Sequence, residues 1–288
     1  MNYALDALWW RLQDPHVRDL ASLLTAPPLW HSGSELPLRE LLGDTGFRFL
    51  LALDSAPQAL HTYLEDKYPF GHRLGVYAEH LLAFWLAHAP HAQLLAHNLP
   101  VRDESNSQTL GALDFIAALN GQIYHIELTC KYYGDAAGNT AQMCGLNHND
   151  RLLDKVAKLT QQLAWAADPA GIRALQARGL AASIRSVSVV RGMGFTVAAT
   201  TCAAPLNRYA WFGRYMEQGL EKEFSGSLPP CLYRLPHMSW LAPARVDEHC
   251  LIGVETMIDN AGALFAVMEK RPDGYWHEIE RIMQAGAT

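Results

Sequence analysis

The chain has 288 residues, half of them hydrophobic, with 23 basic against 29 acidic side chains and a formal net charge of −6. That length supports one large core, or one core with appended elements. The acidity excludes a protein that coats nucleic acid through overall positive charge, because phosphate neutralisation supplies most non-specific affinity, while leaving room for a local basic groove.

Cys130, Cys144, Cys202, Cys231 and Cys250 are scattered, odd in number and without a CxxC pair. Neither a disulfide framework nor a zinc ribbon is expected, and a reducing, cytoplasmic location is. The N-terminus, MNYALDALWWRLQD, reaches an acid before any base, unlike a secretion signal. The longest apolar run, Leu81 to Ala89, has nine residues and contains His88. A membrane span needs roughly 18, so no membrane partner is expected.

Residues 1 to 68 read as helical, with apolar residues at helical spacing in LDALWWRL and LRELLGDTGFRFLLALD and a Pro-rich break, TAPPLWHSGSELP, between them. Residues 74–89, LGVYAEHLLAFWLAHA, predict a mostly buried helix ended by Pro90, with a strand over 93–101. LGALDFIAAL and QIYHIELTCK alternate around Asn120-Gly121 and predict a hairpin, because both central residues of a type I′ turn need positive φ. After a Gly-rich stretch, NDRLLDKVAKLTQQLAWA predicts an amphipathic helix with Leu152, Val156, Leu159 and Leu163 as its apolar stripe and Asn149 as N-cap. SIRSVSVVRGMGFTV reads as a strand, 208–223 as a helix, CLYRLP and ALFAVMEK as short strands, and WHEIERIM as an element of either type.

The hairpin places two acids together. If Asn120 and Gly121 form the loop, Leu119 pairs with Gln122 and Asp114 lies opposite Glu127 on the same face. Such partners have Cβ atoms about 4.5–5.5 Å apart, where like charges repel. A divalent cation resolves that repulsion, since hard ions take oxygen ligands. The bland alternative is a solvated face, and a register slip of one residue separates the acids. Tyr124, Ile126, Leu128 and Cys130 form the expected core side; His125, Glu127, Thr129 and Lys131 share the Asp114 face.

Glu79 is the only formally charged residue between Leu74 and Ala89, within a helix too apolar to face water. A buried carboxylate needs a partner, either a base such as Arg73 or a metal. His88, His91 and His97 lack the Glu of a zinc-protease helix, and Gly192-Met-Gly194 lacks the third glycine of a dinucleotide loop. There is no P-loop and no GxSxG elbow. Trp211, Trp240 and Trp276 read as core in preference to base-stacking residues, and His148 and Asn149 as loop and cap.

A buried helix with a Glu, an Asp on one strand and an acid followed by a Lys on the next resembles the PD-(D/E)XK nuclease core. More narrowly, LGVYAEHLLAFWL, GALDF, IELTCKYY, LNHNDRLLDKVAKL, RGMGF and YRLPHMSWLAP resemble an uncharacterised bacterial domain-of-unknown-function family (DUF1853-like) of that superfamily. The resemblance implies an α/β fold with an αβββαβ core over 69–200, a mixed central sheet flanked by helices, a helical segment over 1–68 and a mixed α/β extension over 201–288. It implies Glu79, Asp114 and Glu127 as ligands of Mg²⁺ or Mn²⁺ and Lys131 as the positioning lysine.

The usual pattern is acid-x-Lys, about 7 Å along the strand, whereas Glu127 and Lys131 are about 13 Å apart at strand spacing. A bulge could close the gap, or the cation could come from the next helix, where Arg151, Lys155, Lys158 and Gln162 form a stripe like the lip of a groove. Two readings follow: a metal-dependent nuclease acting on DNA or RNA, or a nuclease-fold protein without turnover that binds nucleic acid or protein.

Overall fold

The computed structural model of the protein describes residues 11–104, 108–180, 183–197, 203–216, 231–253 and 262–285. Most of LDALWWRL lies outside them. Helix α1 (Pro15–Thr25) starts where Asp14 accepts the Val17 N–H at 3.0 Å and Pro15 takes the first position, whose N–H has no helical acceptor. The second apolar stretch forms α2 (Leu38–Leu42) and α3 (Gly46–Ser55), followed by α4 (Gln58–Glu65). Helix α5 (Leu74–His88) buries apolar residues around most of its circumference, as its composition predicts.

Strands β1 (Ala92–Arg102), β2 (Thr109–Leu119) and β3 (Gln122–Gly134) follow as an antiparallel meander. Asn120 and Gly121 both have positive φ, 49° and 83°, and Leu119 pairs with Gln122, the register that the Asn-Gly loop predicts. Helices α6 (Leu152–Ala164) and α7 (Pro169–Gln176) lead to β4 (Arg185–Thr196), parallel to β3. Helix, three strands, helix and strand therefore run in the expected order, with α7 added. Asn149 is not the cap of α6: Arg151 is the N-cap residue and makes no side-chain capping bond. Asn149 instead donates its N–H to Asn147 Oδ1 in a loop turn.

The sheet continues through β5 (Trp211–Met216), β6 (Cys231–Arg234), β7 (Arg245–Val246), β8 (Ala263–Lys270) and β9 (Trp276–Gln284). Its order is β1-β2-β3-β4-β5-β9-β8-β6, with β7 on β9, so the C-terminal strands extend one mixed sheet. The helix expected over 208–223 is a strand where it is described. Trp211–Met216 alternates large side chains with Gly213 and slots between β4 and β9, parallel to both. Gly213 is needed there because a Cβ would meet Arg281 O at 2.3 Å. Sheet pairing and aromatic content override the helical spacing. Gly192, with φ of 127°, similarly lets β4 pass β3, where a Cβ would meet Lys131 O at 1.7 Å; the glycines of RGMGF serve the sheet, not a phosphate.

Helix α5 packs on the Ile126, Leu128 and Tyr132 face of β3 in the main core. Helix α6 covers the other face, Leu152 and Leu159 meeting Tyr133 and Val190, with Val156 and Leu163 beside them. The polar face of the hairpin is therefore covered by a helix. Helix α1 is tied to the C-terminal half: Arg18 donates to Pro243 O, Ser22 to Leu241 O, and Asp19 accepts the Ala242 N–H. No helix among the described residues is long and apolar enough to cross a membrane.

Candidate functional site

The β2–β3 ladder ends at Phe115 and Ile126, although β2 runs back to Thr109 and β3 runs on to Gly134. From that point β2 stays with β1 and β3 stays with β4, so the sheet forks. Asp114 and Glu127 stand at the apex. Their side chains replace the missing backbone ladder: Asp114 N–H donates to Glu127 Oε1 at 3.3 Å, and Leu128 N–H donates to Asp114 Oδ2 at 3.0 Å.

Glu127 is fully buried and held from two further sides. Gln162 on α6 donates its amide to Oε2 at 2.7 Å, and His125 Nε2 lies 2.7 Å from Oε1. Burial pushes the His125 imidazole down to about 4, so it is neutral. With Nε2–H given to Glu127, the Ser186 hydroxyl donates to Nδ1 at 3.1 Å. Burial and then the charge of Glu127 hold the proton affinity of Asp114 above the usual range. Burial does the same for Glu127, with a smaller contribution from Glu79. The pair thus retains a shared proton towards neutral pH.

Glu79 faces this pair. Burial and the charge of Asp114 raise its proton affinity, opposed by a hydrogen bond from Asn98 and by the charges of Arg73 and Lys155. Asn98 lies opposite Asp114 on β1, between the pairs His97–Phe115 and Leu99–Leu113. Lys155 on α6 is felt by all three acids; burial and the neighbouring Lys158 and Lys131 lower its own proton affinity. Lys131 is engaged elsewhere, 2.5 Å from Asp150 Oδ2. Arg151 and Lys158 are exposed on α6 and its approach. The stripe read from sequence therefore divides, with Lys155 and Gln162 turned to the acids.

A groove of about 870 Å³ opens beside the fork. Its lining includes Glu79, Leu128 and Lys155, Leu146 and Asp150, and Arg234, His237 and Trp240. No group of three or more His, Cys, Asp or Glu side chains placed to hold a metal ion occurs among the described residues. His88 Nδ1 and His91 Nε2 hydrogen-bond Phe84 O and Leu41 O, and His97 stacks on Phe115.

A family model described as a domain of unknown function (DUF1853) matches residues 18–284. The chain belongs to the DUF1853 family. No curated protein and no solved structure matches it. In this DUF1853 member the matched span takes in the fork, the groove and its C-terminal wall. Asn98 and Ser186 carry no motif signal, because Asn98 comes to Glu79 on β1 and Ser186 to His125 on β4. The available clue to Asn98 is its type: a turn-favouring residue in the middle of a strand.

Proposed function

We propose that this DUF1853 chain is a metal-dependent nuclease of the PD-(D/E)XK type, hydrolysing phosphodiester bonds in DNA or RNA. The observation that carries this reading is the forked sheet, with Asp114 and Glu127 in contact at its apex and coupled to Glu79 and Lys155 at the head of a groove. The order helix, three strands, helix, strand supports the superfamily assignment. Mg²⁺ or Mn²⁺ would be held by Asp114, Glu127 and Glu79. All three are hard oxygen donors, and the pair now relieves its repulsion with a proton where a cation would serve. They do not stand as a three-residue cluster among the described residues, so an ion would have to draw Glu79 towards the pair. Such an ion supplies charge stabilisation at phosphate and a more acidic attacking water.

The chain's own residues have separable tasks. His125 and Gln162 fix the Glu127 carboxylate, Asn98 steadies Glu79, and Lys155 is the cation turned to the acids, suited to orienting water or stabilising phosphate charge. Lys131 takes the structural part, holding the groove wall through Asp150. A second reading, a nuclease fold that binds nucleic acid or protein without turnover, is favoured by two observations: the engagement of Lys131 by Asp150 and the complete burial of Glu127. The deciding experiment incubates the purified protein with Mn²⁺ and labelled single- and double-stranded DNA and RNA. Cleavage that Asp114→Asn and Glu127→Gln each abolish supports the nuclease. Metal binding without cleavage of any substrate moves the assignment to the second reading.

A further inference from the structure

The groove's size and furniture identify the form of nucleic acid it takes, an inference that rests on the nucleic-acid reading above. Its volume of about 870 Å³ is that of a site enclosing a small ligand, typically about 300–1,000 Å³. The carboxyl pair stands behind Glu79, Leu128 and Lys155, with Glu127 fully buried. A duplex is a stiff rod on the scale of a protein and brings a phosphate to a recessed carboxylate less readily than a flexible strand. A single strand can enter.

The lining is equipped for one. Trp240 lines the groove, its ring roughly perpendicular to that of Tyr132 at 5.2 Å and of His237 at 4.5 Å. The platform is fixed in advance: the indole N–H donates to Leu235 O, while Tyr132 Oη and the Arg281 guanidinium both donate to Trp240 O. Arg73 and Arg234 also line the groove; neither side chain has an ion pair or hydrogen bond among the described residues, while the charge of Arg73 acts on Glu79. Aromatic platforms flanked by free cations are the elements of single-strand recognition, the base stacking while the phosphates are neutralised. An acidic chain with so local a basic site binds duplex weakly, since non-specific duplex affinity depends on many phosphate contacts.

We propose that the groove is a binding site for an unpaired strand of DNA or RNA, one base seated on Trp240 and its phosphates held by Arg73 and Arg234.

The test measures fluorescence anisotropy of the full chain, in EDTA to prevent cleavage, with labelled oligothymidylate, oligouridylate and a hairpin duplex. At least one single strand should bind about 10-fold or more tightly than the hairpin, and Trp240→Ala should weaken it by about 5- to 150-fold, the range of one stacked base. Trp240→Phe should keep most of the affinity. Arg73→Ala and Arg234→Ala should each reduce the slope of log affinity against log salt by about 0.7. Circular dichroism shows whether Trp240→Ala folds; if it does not, the Phe and arginine variants decide. Hairpin binding as tight as the single strands, no binding at all, or wild-type affinity in the folded variants overturns the proposal. Trp240-dependent single-strand binding without any Mn²⁺-dependent cleavage removes the nuclease reading and leaves this site standing. Cleavage of duplex with no preference for single strands does the reverse.

Discussion

The Lys131 ammonium lies 2.5 Å from Asp150 Oδ2, while Tyr133, next along the same face of β3, donates its hydroxyl to Asp150 Oδ1 at 2.9 Å. The acid clamps the loop before α6 onto the strand. Lys155, in contrast, makes its electrostatic contacts with Glu79, Asp114 and Glu127. Lys155→Ala should therefore lower Mn²⁺-dependent cleavage about 100-fold, the scale of a positioned charge-stabilising group. Lys131→Ala should act mainly through stability, by about 1 kcal/mol for a half-exposed pair. Single-turnover rates and melting curves on both variants separate the roles; the opposite pattern returns catalysis to Lys131.

Metal linkage follows from the carboxyl pair. An ion that binds only the folded chain stabilises it by about 2.7 kcal/mol at 100 times its dissociation constant. Mg²⁺ or Mn²⁺ should thus raise the melting temperature of the wild type. Asp114→Asn should remove that response and, without metal, hold or raise stability, because it eliminates one of two opposed acids. A response unchanged in Asp114→Asn combined with Glu127→Gln shows that the ion binds elsewhere.

In the metal-free protein three buried acids should contribute less stability as pH rises through the weakly acidic range. Asp19, buried beside Tyr77, is raised to about 7, chiefly by burial; Asp114 and Glu127 are raised to about 7 as well. In the unfolded chain such groups release their protons near about 4. Between those values these three groups bind more protons in the folded state, so their contribution to stability is greatest below about 4, declines to about 7 and is level above. His125, lowered to about 4, and the other buried histidines contribute in the opposite sense up to about 6.5. The acids' share is read as the difference in urea midpoint between wild type and Asp19→Asn or Asp114→Asn, which should shift in favour of each variant as pH rises across the window. A difference that does not change with pH contradicts these protonation states.

Much of the fork was legible in the sequence. Asn120-Gly121 sets the register locally, and counting outward from it brings Asp114 to Glu127 without knowledge of the rest of the chain. The charge of Glu79 within an apolar helix likewise declares that it needs company. The helix assigned over 208–223 fails for the opposite reason: Trp211–Met216 is a strand because β4 and β9 flank it, and β9 lies far along the chain. The lysine assignment depends on distance as well as parity. Lys131 shares the face of Glu127, yet Asp150 is nearer to it, and the loop that carries Asp150 has no periodicity from which its path could be read. Trp240, read as core, packs partly buried against the main core and also lines the groove, its carbonyl held by Tyr132 and Arg281.

Asn98 offers a test of how Glu79 is held. Its φ is 52° in the middle of β1, and its amide donates to His97 Nε2 at 3.1 Å while favouring the ionised form of Glu79. A left-handed backbone costs an ordinary residue about 1–2 kcal/mol, a penalty that Asn tolerates and Gly escapes. Asn98→Ala should therefore destabilise the protein by about 1–2 kcal/mol, whereas Asn98→Gly should stay close to wild type, reversing the usual disadvantage of glycine within a strand. Both variants remove the donor that favours the ionised form of Glu79. Asn98→Gly should consequently keep its fold but show a weaker Mn²⁺-induced rise in melting temperature. If Gly destabilises as much as Ala, the positive φ is not what selects Asn. If Asn98→Gly responds to Mn²⁺ like the wild type, Glu79 does not depend on the amide, and its place among the ligands loses this support.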